Sequence, residues 1–120
     1  MKSLLDWLPF GRVAEISSAA LQAMINEGKV QIVDVRTHTE WHSSRIKQAV
    51  CLPITHFSQH AVASLNLDRD LPVVTICLSA HRSIPAVRQL RDMGYKQAVQ
   101  LKGGMREWWK EGLATEKGNQ

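Results

Sequence analysis

Leu71-Pro72-Val73-Val74-Thr75-Ile76-Cys77-Leu78-Ser79-Ala80-His81-Arg82-Ser83-Ile84-Pro85-Ala86-Val87-Arg88-Gln89-Leu90-Arg91-Asp92-Met93-Gly94 carries three signals in order. Val73 to Ile76 is a β-branched apolar run, which reads as a buried strand. Ala86, Val87, Leu90 and Met93 recur at helical spacing, and Gly94 stands where a helix stops. Pro85 falls in the first helical turn, where its missing N–H costs little. Between strand and helix lies a polar loop headed by Cys77. A thiol there faces the unpaired N–H groups and the positive dipole end of the helix, and successive loop amides can close around it as an anion nest. Arg82 adds a cation, with His81 beside it. Such settings lower a cysteine pKa from about 8.5 to roughly 3.5–7.5, so Cys77 is the candidate nucleophile. The plainer alternative is a small buried hydrophobe. Against it stand Ser79, His81, Arg82 and Ser83, too polar to extend a buried strand.

The same alternation extends outward. Ser17 is placed as the N-cap of a helix through Glu27, with Ala20, Leu21, Met24 and Ile25 on one face and Gly28 at its end. Val30 to Arg36 reads as a strand whose last residues turn polar. Thr37-His38-Thr39-Glu40 has the capping-box form, which predicts a short helix bearing Trp41 and His42. Ala49 to Ile54 is expected as a strand ended by Pro53, and Thr55 to Asn66 as one helix burying Phe57, Val62 and Leu65. Gln97 to Leu101 makes a further strand and Gly103-Gly104 a turn. Met105 to Glu111 is a last helix with Trp108 and Trp109, stopped at Gly112. Strands alternating with helices over crossover-length connections specify an α/β domain: a mainly parallel sheet of about five strands, helices on both faces. Ligands in such folds bind beyond the carboxyl ends of the strands. Cys77 and the Asp34–Arg36 strand end both map to that edge.

Composition narrows the function classes. At 120 residues, with 44% apolar and 22% charged residues, the chain is expected to form one globular domain over residues 15–115. Residues 1–14 are an apolar arm or short helix, and 116–120 a frayed tail. Asp6 and Pro9 break the N-terminal apolar stretch, which argues against a signal peptide. No run approaches the roughly 18 apolar residues of a membrane span, so a cytoplasmic protein without membrane contact is expected. The net charge of +4 is spread over scattered Lys and Arg, with no basic run or phosphate loop. No nucleic-acid partner is expected. Two cysteines, 51 and 77, give no metal spacing and no disulfide framework. Cys51 is read as a buried strand residue, and its resolving Cys77 would rest on geometry. His56 and His60 sit four apart without a third ligand, so they are read as surface. No metal or cofactor is implied.

Three segments together resemble the single-domain rhodanese-like sulfurtransferases over residues 15–115. They are Asp34-Val35-Arg36 with Glu40-Trp41, then Cys77 with Arg82-Ser83 five and six positions on, then Gly103-Gly104 with Trp108 and Gly112-Leu113. The resemblance implies a three-layer rhodanese-like domain. It also implies a Cys77 persulfide that takes sulfur from a small anionic donor such as thiosulfate and passes it to a thiol or protein acceptor. Leu78, Ser79, Ala80, His81, Arg82 and Ser83 become the substrate cradle, with the Ser83 hydroxyl able to add a hydrogen bond. Arg82 either clamps the loop through a carboxylate or holds the donor's charge. Asp34, Arg36 and Glu40 form a supporting ion-pair set, and Arg45 is placed near the same mouth. Ala80 stands where the family commonly has Gly. If that position has φ > 0, its Cβ costs on the order of 1 kcal/mol. Two other classes stay open: a Cys-based phosphatase or arsenate reductase, whose Cys and Arg are separated by five residues rather than four, and a regulatory or sulfur-relay binding module. The oligomeric state is left undetermined.

Overall fold

The computed structural model describes residues 13–118. The arm expected over residues 1–14 lies almost wholly outside them. Five parallel strands form one sheet in the order β1-β5-β4-β2-β3: β1 (Glu15–Ile16), β2 (Gln31–Asp34), β3 (Val50–Cys51), β4 (Val73–Ile76) and β5 (Ala98–Leu101). The helices are α1 (Ser18–Glu27), α2 (His38–Ser43), α3 (Gln59–Ser64), α4 (Ser83–Asp92) and α5 (Gly104–Lys110), with a 3₁₀ turn at Ile54–His56.

Alternation along the strands divides the core into two layers. Val33, Val73 and Cys77 pack with Val62 of α3 and with Ala86, Val87 and Leu90 of α4. Ile32, Val74 and Ile76 pack on the opposite face with Leu21 of α1 and with Met105 and Trp108 of α5. Both faces of the sheet are covered, which is why β4 reads as an unbroken apolar run rather than an alternating one.

Three local expectations change. The strand β1 had no sequence signal: two residues carry no periodicity, and only pairing of Glu15 with Gln100 and of Ile16 with Leu101 makes them a strand. The helix expected over Thr55–Asn66 is two pieces. Pro53 enters the 3₁₀ turn, Phe57 is extended, and Ser58 caps a new helix by accepting from the Ala61 amide at 3.1 Å. The β3 strand shrinks to two residues, leaving Val50 exposed at the sheet edge.

The chain leaves β2 through α2 toward β3, and leaves the adjacent β4 through α4 toward β5 on the other side. Connections departing in opposite directions open a crevice beyond the ends of β2 and β4. The loop headed by Cys77 fills it.

Candidate active site

Cys77 directly follows β4 and is 2% exposed. Its Sγ accepts a hydrogen bond from the Arg82 amide at 3.2 Å, so the six-residue loop curls back over its own first side chain. Among the described residues, the amides of Leu78, Ser79, Ala80 and His81 bond to no protein acceptor. Ala80 has φ of +83°, the left-handed region that a Cβ penalises. That conformation closes the loop, and the conditional cost raised by the sequence applies. Ser79 Oγ lies 3.3 Å from His81 Nδ1, with both residues exposed at the rim. Ser83 opens α4 and is fully buried, but its Oγ has no hydrogen-bond partner. The bond from Ser83 to the sulfur that the sequence allowed is not made here.

The loop stands on α5. The Met105 amide donates to Cys77 O at 2.8 Å and the Arg106 amide to Leu78 O at 3.0 Å. Gly104, with φ of +59°, makes this approach sterically feasible, since a Cβ there would collide with the Cys77 and Leu78 carbonyls. Gly103-Gly104, expected as a turn, also sets this approach. The signal for its second role was the glycine pair placed just before a helix.

The supporting carboxylates divide into two pairs rather than one set. Asp34 and Arg36 are both buried, with Nε–Oδ1 at 2.9 Å and Nη2–Oδ2 at 2.7 Å, and Nη2 also donates to Ser44 O at 2.6 Å. This buried pair ties the end of β2 to the exit of α2. Glu40 reaches the other way. It completes the capping box with Thr37, and it accepts from Arg82 through two parallel bonds of 2.8 and 3.0 Å. The pair bridges the crevice from the β2 side to the β4 side. Arg82 holds the Glu40 carboxyl at about 2, well below its usual 4.5. In turn Glu40, the largest cause, pushes the Arg82 pKa up. Of the two roles left open for Arg82, the geometry is that of the loop clamp.

Arg45 does not face the mouth. It is buried, stacked 3.9 Å from the Trp41 ring centroid, and bonded to Glu116 Oε1, Trp41 O and Gly118 O. Residues 116–118, read as frayed tail, are therefore held: Glu116 pairs with Arg45 through the backbone and the Gly118 amide donates to His42 O. Cys51 is half-buried, and burial pushes its thiol pKa up. Asp34 of β2 pairs with Cys51 on one side and with Ile76 on the other. Cys51 is thus level with Ile76 two strand spacings away, and Cys77 lies one residue further along, about 10 Å from Cys51, beyond the roughly 7 Å limit for a disulfide. A shallow depression lined by Ile54, His81, Arg82 and Pro85 lies beside the loop. Among the described residues no group of His, Cys, Asp or Glu is arranged to hold a metal ion, and no helix is long and apolar enough to cross a membrane.

A loop with one amide on a buried sulfur and four amides without a protein acceptor, held by α5 and clamped by Glu40, suits stabilisation of an anionic sulfur or a small oxyanion. Comparison with known proteins narrows this. A sulfurtransferase of Allochromatium vinosum is 35% identical over 102 residues, covering 84% of this chain and 92% of that protein. An HTH-type transcriptional regulator of Mycobacterium tuberculosis is 35% identical over 105 residues, but this chain spans only 45% of it. A rhodanese-like domain protein from Staphylococcus aureus superposes with a TM-score of 0.73 at 29% identity, covering 89% of this chain and 100% of that one. The model of the rhodanese-like domain matches residues 17–111. The chain belongs to the rhodanese-like domain family.

Proposed function

We propose that this protein is a sulfurtransferase working through a Cys77 persulfide, with thiosulfate or a similar sulfane donor as the source. The Cys77 thiolate attacks the outer sulfur of the donor. The donor's S–S bond breaks, sulfite leaves with the electron pair in the case of thiosulfate, and Cys77–S–S⁻ remains. A thiophilic acceptor, cyanide in vitro or a thiol or protein thiol in a cytoplasmic setting, then takes the terminal sulfur and restores the thiolate. No general base is required once the thiolate exists.

The observation that carries this reading is the Cys77 loop itself. One amide, that of Arg82, already binds Sγ, and those of Leu78, Ser79, Ala80 and His81 make no bond to a protein acceptor. Four uncommitted donors in the loop that follows the sulfur can supply what a second, negatively charged sulfur needs. Arg82 and Ser83 complete the cradle at the start of α4, and Asp34, Arg36 and Glu40 support it. The four-residue Cys–Arg spacing favours sulfur over a whole phosphate.

The test is intact mass after thiosulfate, with Cys77→Ala alongside. A gain of one sulfur atom that cyanide removes, absent from the variant, is expected. No gain from thiosulfate or from a thiosulfonate, in a folded protein, would overturn the proposal.

A further inference from the structure

Sulfur donors differ in charge, and the charge at this mouth bears on which of them it takes. The depression beside the loop is lined by Ile54, His81, Arg82 and Pro85, and of these only Arg82 is permanently charged. Both of its terminal nitrogens point at the two Glu40 oxygens, at 2.8 and 3.0 Å. A fork–fork pair of this kind engages two of the guanidinium's five N–H donors and offsets its charge. Glu40 is doubly secured, because its Oε1 also accepts from the Thr37 amide at 3.0 Å. Leu78, next to the nucleophile, supplies no charge, and the remaining lining is two apolar side chains, Ile54 and Pro85, and the imidazole of His81. The amide nest then receives the outer sulfur, and the one permanent cation in the lining is already paired with Glu40.

Resting on the sulfurtransferase reading, we propose that Glu40 is the specificity determinant of the site: by neutralising Arg82 it selects singly charged organic sulfur donors, persulfides and thiosulfonates, over the thiosulfate dianion. The organic group lies against Ile54 and Pro85, and the single charge resides on the sulfur that the amides receive. With benzenethiosulfonate the step balances as with thiosulfate. The Cys77 thiolate bonds to the outer sulfur, the S–S bond breaks, and benzenesulfinate departs with the electron pair and one negative charge. Glu40 touches no reacting atom, so it is a positioning residue that acts through Arg82.

The experiment compares kcat/KM for thiosulfate and benzenethiosulfonate, with cyanide as acceptor, in the unaltered protein and in Glu40→Gln. Glutamine keeps the capping box and a neutral contact to Arg82 while removing the charge. The unaltered protein is expected to favour benzenethiosulfonate by at least about tenfold, and Glu40→Gln to cut that preference about tenfold, chiefly through a lower thiosulfate KM. Salt dependence separates charge from structure. In Glu40→Gln the thiosulfate reaction should slow as salt rises, because an unpaired Arg82 now attracts the dianion, whereas in the unaltered protein it should not. Equal use of both donors by the unaltered protein overturns the inference and leaves sulfur transfer standing. So does a variant that loses both activities in the same proportion without a new salt dependence. If Glu40→Gln fails to fold, the donor ratio and salt dependence of the unaltered protein decide. Persulfide formation from neither donor would instead remove the underlying reading.

Discussion

At Glu40 the carboxyl pKa falls from 4.5 to about 2, chiefly through hydrogen bonding to Arg82, against an opposing push from burial. A carboxyl whose pKa is depressed on folding stabilises the native state above its unfolded pKa, and that stability is lost as pH falls through the folded value. The clamp should therefore contribute fully above pH 4.5 and fade between there and about 2. Both side chains are about 30% exposed, so solvent screening limits the contribution to about 1 kcal/mol. Urea denaturation of the protein and of Glu40→Gln across that acid range should show a stability gap that closes as pH falls. A gap independent of pH would mean that the charge does not matter to the fold. Ala80 adds a second residue-scale feature. Its φ of +83° stores strain, and it lies in the loop where the amides must face one sulfur, a usual place for such strain.

The elements position the site through contacts between segments far apart in sequence. The nucleophile comes from the end of β4, the clamp's carboxylate from the first turn of α2, and the floor from the first turn of α5. Gly104 decides how closely α5 approaches. In Gly104→Ala the new Cβ meets the Cys77 and Leu78 carbonyls. The variant is expected to lose on the order of 2 kcal/mol of stability, and its sulfur transfer should fall by more than its folded fraction. Gly112→Ala is the control: its φ of +69° brings strain, but the Cβ meets nothing within 4 Å. Chemical denaturation and turnover measured on both variants check this, and equal activity in the two would show that the α5 floor does not shape the loop. Most elements were legible because their caps are local. Ser17, the Thr37–Glu40 box and Gly28 act within four residues of the helices they bound. The break between the 3₁₀ turn and α3 was missed, because Pro53 and Ser58 compete with a continuous apolar pattern that tertiary packing did not follow.

For the whole molecule, the C-terminal segment works as a strap. Glu116 and Gly118 supply acceptors to the guanidinium of Arg45, which is 1% exposed. Ending the chain after Thr115 removes both and should cost about 2 kcal/mol, the typical loss when a buried charged group is left short of partners. The melting temperature of the shortened protein checks it, and an unchanged value would return these residues to the status of a tail. Sequence alone determined the order of β2 to β5 and of the helices between them, and the position of Cys77 at a strand-to-helix turn. It also located the polar end of β2, because apolar periodicity, capping side chains and turn residues act over a few positions. Tertiary structure decided that β1 is a strand and that Asp34–Arg36 and Glu40–Arg82 are separate pairs. It also set Arg45 against the C-terminal segment instead of the mouth, and put β2 between the two cysteines. Each of these depends on which segments become neighbours across the sheet. The packing of both apolar faces settles that, and no local pattern records it.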